Sequence, residues 1–161
     1  MTADPVPESG ELLFMMGKFE ARFPTDRLYC KNHMWAQLQP DGQSYRCGFS
    51  AYAVRLLQDV YFLEWTVDVG STLREREQIG AIESSKAESD LYTPLAGTLT
   101  EFNTELLSDP SAINYDKYGL GWLFTISSDG SPLLSPPSYL EHLAASWTIA
   151  QRTIKGQMNE E

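Results

Sequence analysis

Along most of the chain, apolar and polar positions alternate in short runs separated by turn residues. Leu28-Tyr29-Cys30 and Met34-Trp35-Ala36-Gln37-Leu38 read as extended. Pro40-Asp41-Gly42 follows as a turn in which Gly accepts a positive φ, so a hairpin returning from Ser44 to Phe49 is predicted. Ser50 stands at an N-cap position before Ala51-Tyr52-Ala53-Val54-Arg55-Leu56-Leu57, whose apolar spacing predicts a short helix over 50–57. The β-branched and aromatic stretch from Val60 to Trp65 predicts a strand, as do the segments 79–82, 91–93, 97–102 and 121–126. Strands this short and numerous, joined by short turns, predict a small all-β sandwich or barrel. After Pro132, Pro136 and Pro137, apolar residues from Tyr139 to Ile154 recur at helical spacing and predict an amphipathic C-terminal helix over 138–155. Residues 1–26, broken by Pro5, Pro7, Gly10, Gly17 and Pro24, read as an irregular extension. Within it, Leu12-Leu13-Phe14-Met15-Met16 is too apolar to be left in water and is expected to pack on the domain or on a partner. The expected organisation is an N-terminal extension over 1–26, a β domain over 27–135, and a helix with its tail over 136–161.

Length and composition agree with that plan: 161 residues at 42% hydrophobic content suffice for one domain with a real core. A net charge of −10 argues against binding a phosphate backbone, which needs clustered Lys and Arg, and points instead to protein partners with basic faces. The acidity is concentrated, with eleven acids against Arg74, Arg76 and Lys86 between Asp59 and Asp109. Trp35, Trp65, Trp122 and Trp147 are therefore expected in the core rather than on a base-stacking platform. No apolar run is long enough to span a membrane and the N-terminus lacks the pattern of a secretory signal, so a cytoplasmic location is expected. Cys30 and Cys47 are too few for a disulfide framework or a four-ligand metal site, and read as semi-buried, reduced thiols on strands. His33 and His142 have neither metal-ligand nor triad spacing, and Gly119-Leu120-Gly121 lacks the third glycine of a dinucleotide loop. No catalytic and no metal site is expected.

The most informative segment is Ile82-Glu83-Ser84-Ser85-Lys86-Ala87-Glu88-Ser89-Asp90, a polar turn with a single Lys at its centre, carboxylates on both sides and an apolar strand at each end. A Lys projected from a tight turn is sterically open to a modifying enzyme, and acylation replaces its compact charge with a long neutral arm. A protonated amine among carboxylates is chemically quiet, so selective modification requires an enzyme that recognises the turn. On residue types alone, a solvated surface turn remains the commoner explanation.

The pattern Glu83-Ser84-x-Lys86-Ala87-x-Ser89-Asp90, followed by Pro94 and Gly97, resembles the attachment segment of the glycine cleavage H proteins. The similarity runs from about Tyr29 to Tyr139 through His33-x-Trp35, Gly42, Gly48-Phe49-Ser50, Asp59-Val60, Asn103, Pro110, Asn114, Tyr118, Gly121-Trp122, Leu134-Ser135 and Tyr139. Biotin carriers flank their lysine with Met, whereas Ser85 and Ala87 stand here. The resemblance implies a lipoyl-type flattened barrel, or barrel-sandwich hybrid, with lipoic acid amide-linked to Lys86. It also implies a carrier subunit without an active site of its own, passing an aminomethyl group among three enzymes: a pyridoxal-phosphate glycine decarboxylase, a tetrahydrofolate-dependent aminomethyltransferase and dihydrolipoyl dehydrogenase. Glu83 and Ala87 would be read by the lipoylating enzyme, and Ser89 and Asp90 would border a cleft that shields the loaded arm. Gly70, 16 residues before Lys86, and Gly97, 11 after it, match glycines that let the sheet bend beside the turn.

Four departures stand out. Met34 replaces the Glu expected to face the aminomethyl amine; Ser85 replaces Val, Gln58 replaces Gly before Asp59, and Lys117 replaces Pro before Tyr118. Met34 keeps open an H-like lipoylated protein serving another route, as a lipoyl relay or a carrier of other sulfur-linked cargo. An unmodified binding module that docks through its acidic face is the third reading.

Overall fold

A computed structural model describes residues 10–160, with side chains as far as Ile149. In chain order the elements are β1 (Glu11–Met16), β2 (Phe19–Pro24), β3 (Leu28–Tyr29), β4 (Met34–Leu38), β5 (Ser44–Phe49), α1 (Ala51–Leu57), β6 (Val60–Trp65), β7 (Thr72–Leu73), β8 (Gln78–Ser84), β9 (Glu88–Tyr92), β10 (Gly97–Phe102), α2 (Glu105–Ser108), α3 (Ala112–Tyr115), β11 (Phe124–Ser127) and α4 (Pro136–Glu160). The strands form a six-stranded sheet, β3-β4-β5-β11-β10-β7, a three-stranded sheet, β6-β8-β9, and a separate hairpin, β1-β2. Every pairing is antiparallel. No described helix is long and apolar enough to cross a membrane.

The two larger sheets are held together by alternation. Cys47 and Phe49 of β5, Leu99 of β10 and Phe124 and Ile126 of β11 turn inward from one sheet; Val60, Leu63, Ile79, Ile82 and Leu91 turn inward from the other. This is the flattened barrel that the family resemblance implies. Both cysteines are free, as expected, yet they are buried rather than half-buried. The desolvation that comes with burial raises the thiol pKa of each.

Residues 11–24 are not irregular. Their glycine and proline punctuate a hairpin: Gly17 (φ 67°) sits in the two-residue turn between Met16 and Phe19, and Pro24 ends β2. Residues 1–9 of the predicted extension lie outside the described residues. The hairpin and α4 build a second apolar cluster on the flank of the barrel. Met16, Ala21 and Phe23 from the hairpin meet Tyr29, Trp35, Tyr52, Tyr139 and Leu143 there. Tyr29 and Tyr139 stack with centroids 4.7 Å apart and planes 6° apart, and Phe23 meets both edge-on.

The C-terminal helix begins two residues before its predicted start. Pro136 and Pro137 do not precede it but open it, because a first-turn residue has no intrahelical acceptor for the N–H that proline lacks. Ser135 Oγ accepts from Ser138 N–H at 3.3 Å and caps the turn. The strand expected over 121–126 starts later, at Phe124, because Asn103 Nδ2 donates to the carbonyls of Leu120 and Trp122 and holds that approach as a loop.

Candidate functional site

Lys86 lies at the apex of the β8–β9 hairpin, in the turn 85–87, with an exposed side chain. Ser84, buried at the base, builds the turn. Its Oγ accepts from the N–H groups of Lys86 (3.3 Å) and Ala87 (3.2 Å), and its N–H donates to Ala87 C=O at 2.8 Å. The backbone under the lysine is thereby fixed. The amine is not: among the described residues no salt bridge involves Lys86. The lysine is thus an exposed side chain carried on a defined backbone.

Glu83 is half-buried and faces Glu88 directly across the β8–β9 ladder, and Asp90 faces Ala81. Glu64 of β6 faces Ala81 from the other side, so carboxylates lie on all three strands of the small sheet. Like charges directly opposite on a sheet cost stability. The carboxylates therefore mark the surroundings of the lysine as strongly anionic.

Ser89 and Asp90 border a cleft of about 200 Å³ with Asn32, His33, Met34 and Leu57. Phe49, Ile82 and Leu91 make its wall apolar. Asn32 and Tyr92 also border a wider neighbouring hollow of about 730 Å³ that reaches Pro94, Pro132 and Leu134. His33, in the left-handed region at φ 70°, has its pKa pushed down to about 4, chiefly by burial and then by the charge of His142. Among the described residues no group of His, Cys, Asp or Glu is arranged to hold a metal ion.

The two glycines expected to bend the sheet beside the lysine turn belong elsewhere. Gly97 opens β10 opposite Leu73 of β7, and Gly70 N–H donates to Leu99 C=O, so both sit at the β7–β10 edge of the six-stranded sheet. Gly97, at φ 155°, has no space for a side chain, since a Cβ there would overlap the carbonyl oxygen of Ser127. Its need for glycine comes from backbone crowding, not from the lysine turn.

The structure also brings in residues whose role spacing alone does not reveal. Ser85 N–H donates to Asp59 C=O at 2.8 Å and Asp59 N–H donates to Ser85 Oγ at 3.2 Å. Asn114 of α3 donates to Gln58 C=O at 2.6 Å and accepts from Val60 N–H at 2.9 Å.

A flattened barrel of two antiparallel sheets, with Lys86 at a hairpin apex and Ser89 and Asp90 of the same hairpin bordering a cleft, defines the class as a carrier domain of the lipoyl type. A family profile described as Glycine cleavage H-protein matches residues 27–145. The glycine cleavage system H protein of Rubrobacter xylanophilus is 41% identical over 124 residues, 76% of this chain and 96% of the relative. That of Herpetosiphon aurantiacus is 40% identical over 122 residues, 74% and 92% of the two chains. A solved glycine cleavage system H protein from Mycobacterium marinum superposes with a TM-score of 0.67 at 33% identity, over 76% of this chain and 99% of that one. The chain belongs to the glycine cleavage H-protein family, the lipoyl carriers that pass intermediates among the enzymes of glycine cleavage. The hairpin β1-β2 precedes the matched region.

Proposed function

We propose that Lys86 is the lipoylated residue and that, so modified, it ferries an aminomethyl group between a pyridoxal-phosphate glycine decarboxylase, a tetrahydrofolate-dependent aminomethyltransferase and dihydrolipoyl dehydrogenase. The observation that carries this reading is the exposed apex amine, without an ion pair among the described residues, next to a cleft bordered by Ser89 and Asp90. When bound, the lipoyl group supplies a dithiolane that opens by thiol exchange and recloses on oxidation.

The chain's own residues do the rest as binding, orientation and shielding. Ser84 fixes the backbone from which the amine projects. Glu83 and Ala87 flank the lysine where the lipoylating enzyme reads the turn, with Glu83 offering a carboxylate to a basic contact on that enzyme. Ser89, Asp90 and the apolar wall of Phe49, Ile82 and Leu91 keep water from a labile cargo. The subunit acts as a carrier whose chemistry is performed by its partners, and tethering keeps the cargo at high local concentration near each docked enzyme.

The test is intact mass after production in a lipoate-competent host, with Lys86→Ala alongside. The parent gains one lipoyl mass and the variant none; an unmodified parent removes this reading and favours an unmodified binding module that docks through its acidic sheet. Met34 supports a second reading, a lipoylated carrier serving a different route. It is 2% exposed and stands in the cleft wall where a carboxylate would pair with an aminomethyl amine. Exchange of bicarbonate into glycine by the decarboxylase separates the two: exchange dependent on Lys86 supports aminomethyl carriage, and a lipoylated protein inert in exchange supports the other route.

A further inference from the structure

We propose that Ser85 is a positioning residue for the modification of Lys86, fastening the lysine turn to the corner between α1 and β6. The proposal rests on the reading that Lys86 is the lipoylated residue. The β6–β8 ladder ends at Val60 opposite Ser84. One step beyond, Ser85 and Asp59 exchange two hydrogen bonds, N–H to C=O at 2.8 Å and N–H to Oγ at 3.2 Å. The side chain of Ser85 thus adds one more rung, where the ladder itself has stopped and the lysine turn begins.

The far side of that rung is braced as well. Asn114 grips the residues on both sides of Asp59 with a single amide, Gln58 C=O at 2.6 Å and Val60 N–H at 2.9 Å. Gln58 N–H donates to Val54 C=O at 2.9 Å, and Gln58 Nε2 donates to Arg55 C=O at 2.6 Å. Three of these four bonds hold Gln58 itself, which sits at φ 62°, ψ −139°, a region that strongly favours glycine. Asp59 is therefore presented in one conformation, and Ser85 inherits that order. The result is a turn with a fixed backbone and a free amine, so that an approaching enzyme need not order the backbone itself.

Lipoyl transfer is measured on the full-length apo protein with a purified lipoylating enzyme, using the parent, Ser85→Val and Ser85→Thr, together with amide hydrogen exchange at Asp59. Losing the hydroxyl acceptor is expected to lower kcat/KM about three- to ten-fold, the range of one hydrogen bond. The loss falls mainly on KM, because docking must then order the turn, and Asp59 N–H exchanges faster. Ser85→Thr, which keeps the hydroxyl, retains both properties. In a Gln58→Gly background, where the corner is unstrained, Ser85→Val costs less. Equal kcat/KM for the parent and Ser85→Val overturns the positioning role while leaving Lys86 as the lipoylated residue. A loss not rescued by Thr, or one with Asp59 exchange unchanged, also overturns it. A parent that accepts no lipoyl mass overturns the positioning role and the underlying reading together.

Discussion

His33 Nδ1 lies 2.9 Å from the phenolic oxygen of Tyr139, and the same oxygen lies 2.8 Å from Ser50 Oγ. One hydroxyl on the first turn of α4 thus ties the loop before Met34 to Ser50, the residue just before α1. The tie depends on an imidazole whose charged form is disfavoured: burial, and then the charge of His142, hold the His33 pKa at about 4. The unfolded chain, with a His near its ordinary value of about 6.5, binds more protons than the folded one between those limits. Stability from this group is complete above about pH 6.5 and is lost as pH falls toward 4. Urea unfolding from pH 7.5 to 5 should show that decline. His33→Asn, which tolerates the positive φ, should flatten it; an unaltered slope would show that other groups set the acid limb.

Gln58→Gly should stabilise the protein by about 1 kcal/mol, because relief of a backbone conformation costing roughly 1–3 kcal/mol outweighs the added freedom of the unfolded chain. The urea midpoint measures it. A midpoint lowered by the substitution would mean that the Gln58 side-chain bond to Arg55 matters more than the strain.

Gly97→Ala places a Cβ against the Ser127 carbonyl and should cost at least about 3 kcal/mol. Gly70→Ala is a matched control, since Gly70 has φ 95° but a methyl group there would meet no neighbour within 4 Å, and should cost only about 1–2 kcal/mol. Comparable losses in the two variants would contradict the crowding at Ser127.

Met34→Glu buries a carboxylate in the cleft wall near Asp90, and should destabilise the protein by on the order of 3 kcal/mol at pH 7. Burial raises the pKa of the new acid, so the deficit grows as pH rises above about 4.3 and shrinks on acidification. Comparing parent and variant at pH 7 and pH 5 checks the sign. A deficit that is the same at both values would place the new carboxylate in water rather than in the wall.

The lysine turn is legible in the sequence because its chemistry is local: the carboxylates of Glu83, Glu88 and Asp90, a small residue on each side of Lys86 and apolar strands at either end all lie close together in the chain. The barrel is legible because short apolar runs bounded by turn residues mark its strands, even where burial does not alternate, as in β4 and β11. What escapes the sequence is either punctuation with two meanings or contact at long range. Gly17 and Pro24 read as breaks in order, yet they are the turn and the stop of a hairpin; Pro136 and Pro137 read as a boundary, yet they are a helix start. Asn114 is visible as a landmark without a task, because its partners Gln58 and Val60 are more than fifty positions away. The departures at Gln58 and Ser85 look unrelated in sequence, but they lie on either side of Asp59 in space.

The outermost strands of the six-stranded sheet, β3 and β7, are only two residues long. On the β3 side the backbone of Tyr29 exchanges two hydrogen bonds with Leu134, at 2.9 and 2.7 Å, so that rail is already taken. Long, unpaired rails invite a stranger's strand and, through it, fibre growth. With neither border long enough to serve as a template, the larger sheet resists end-to-end splicing.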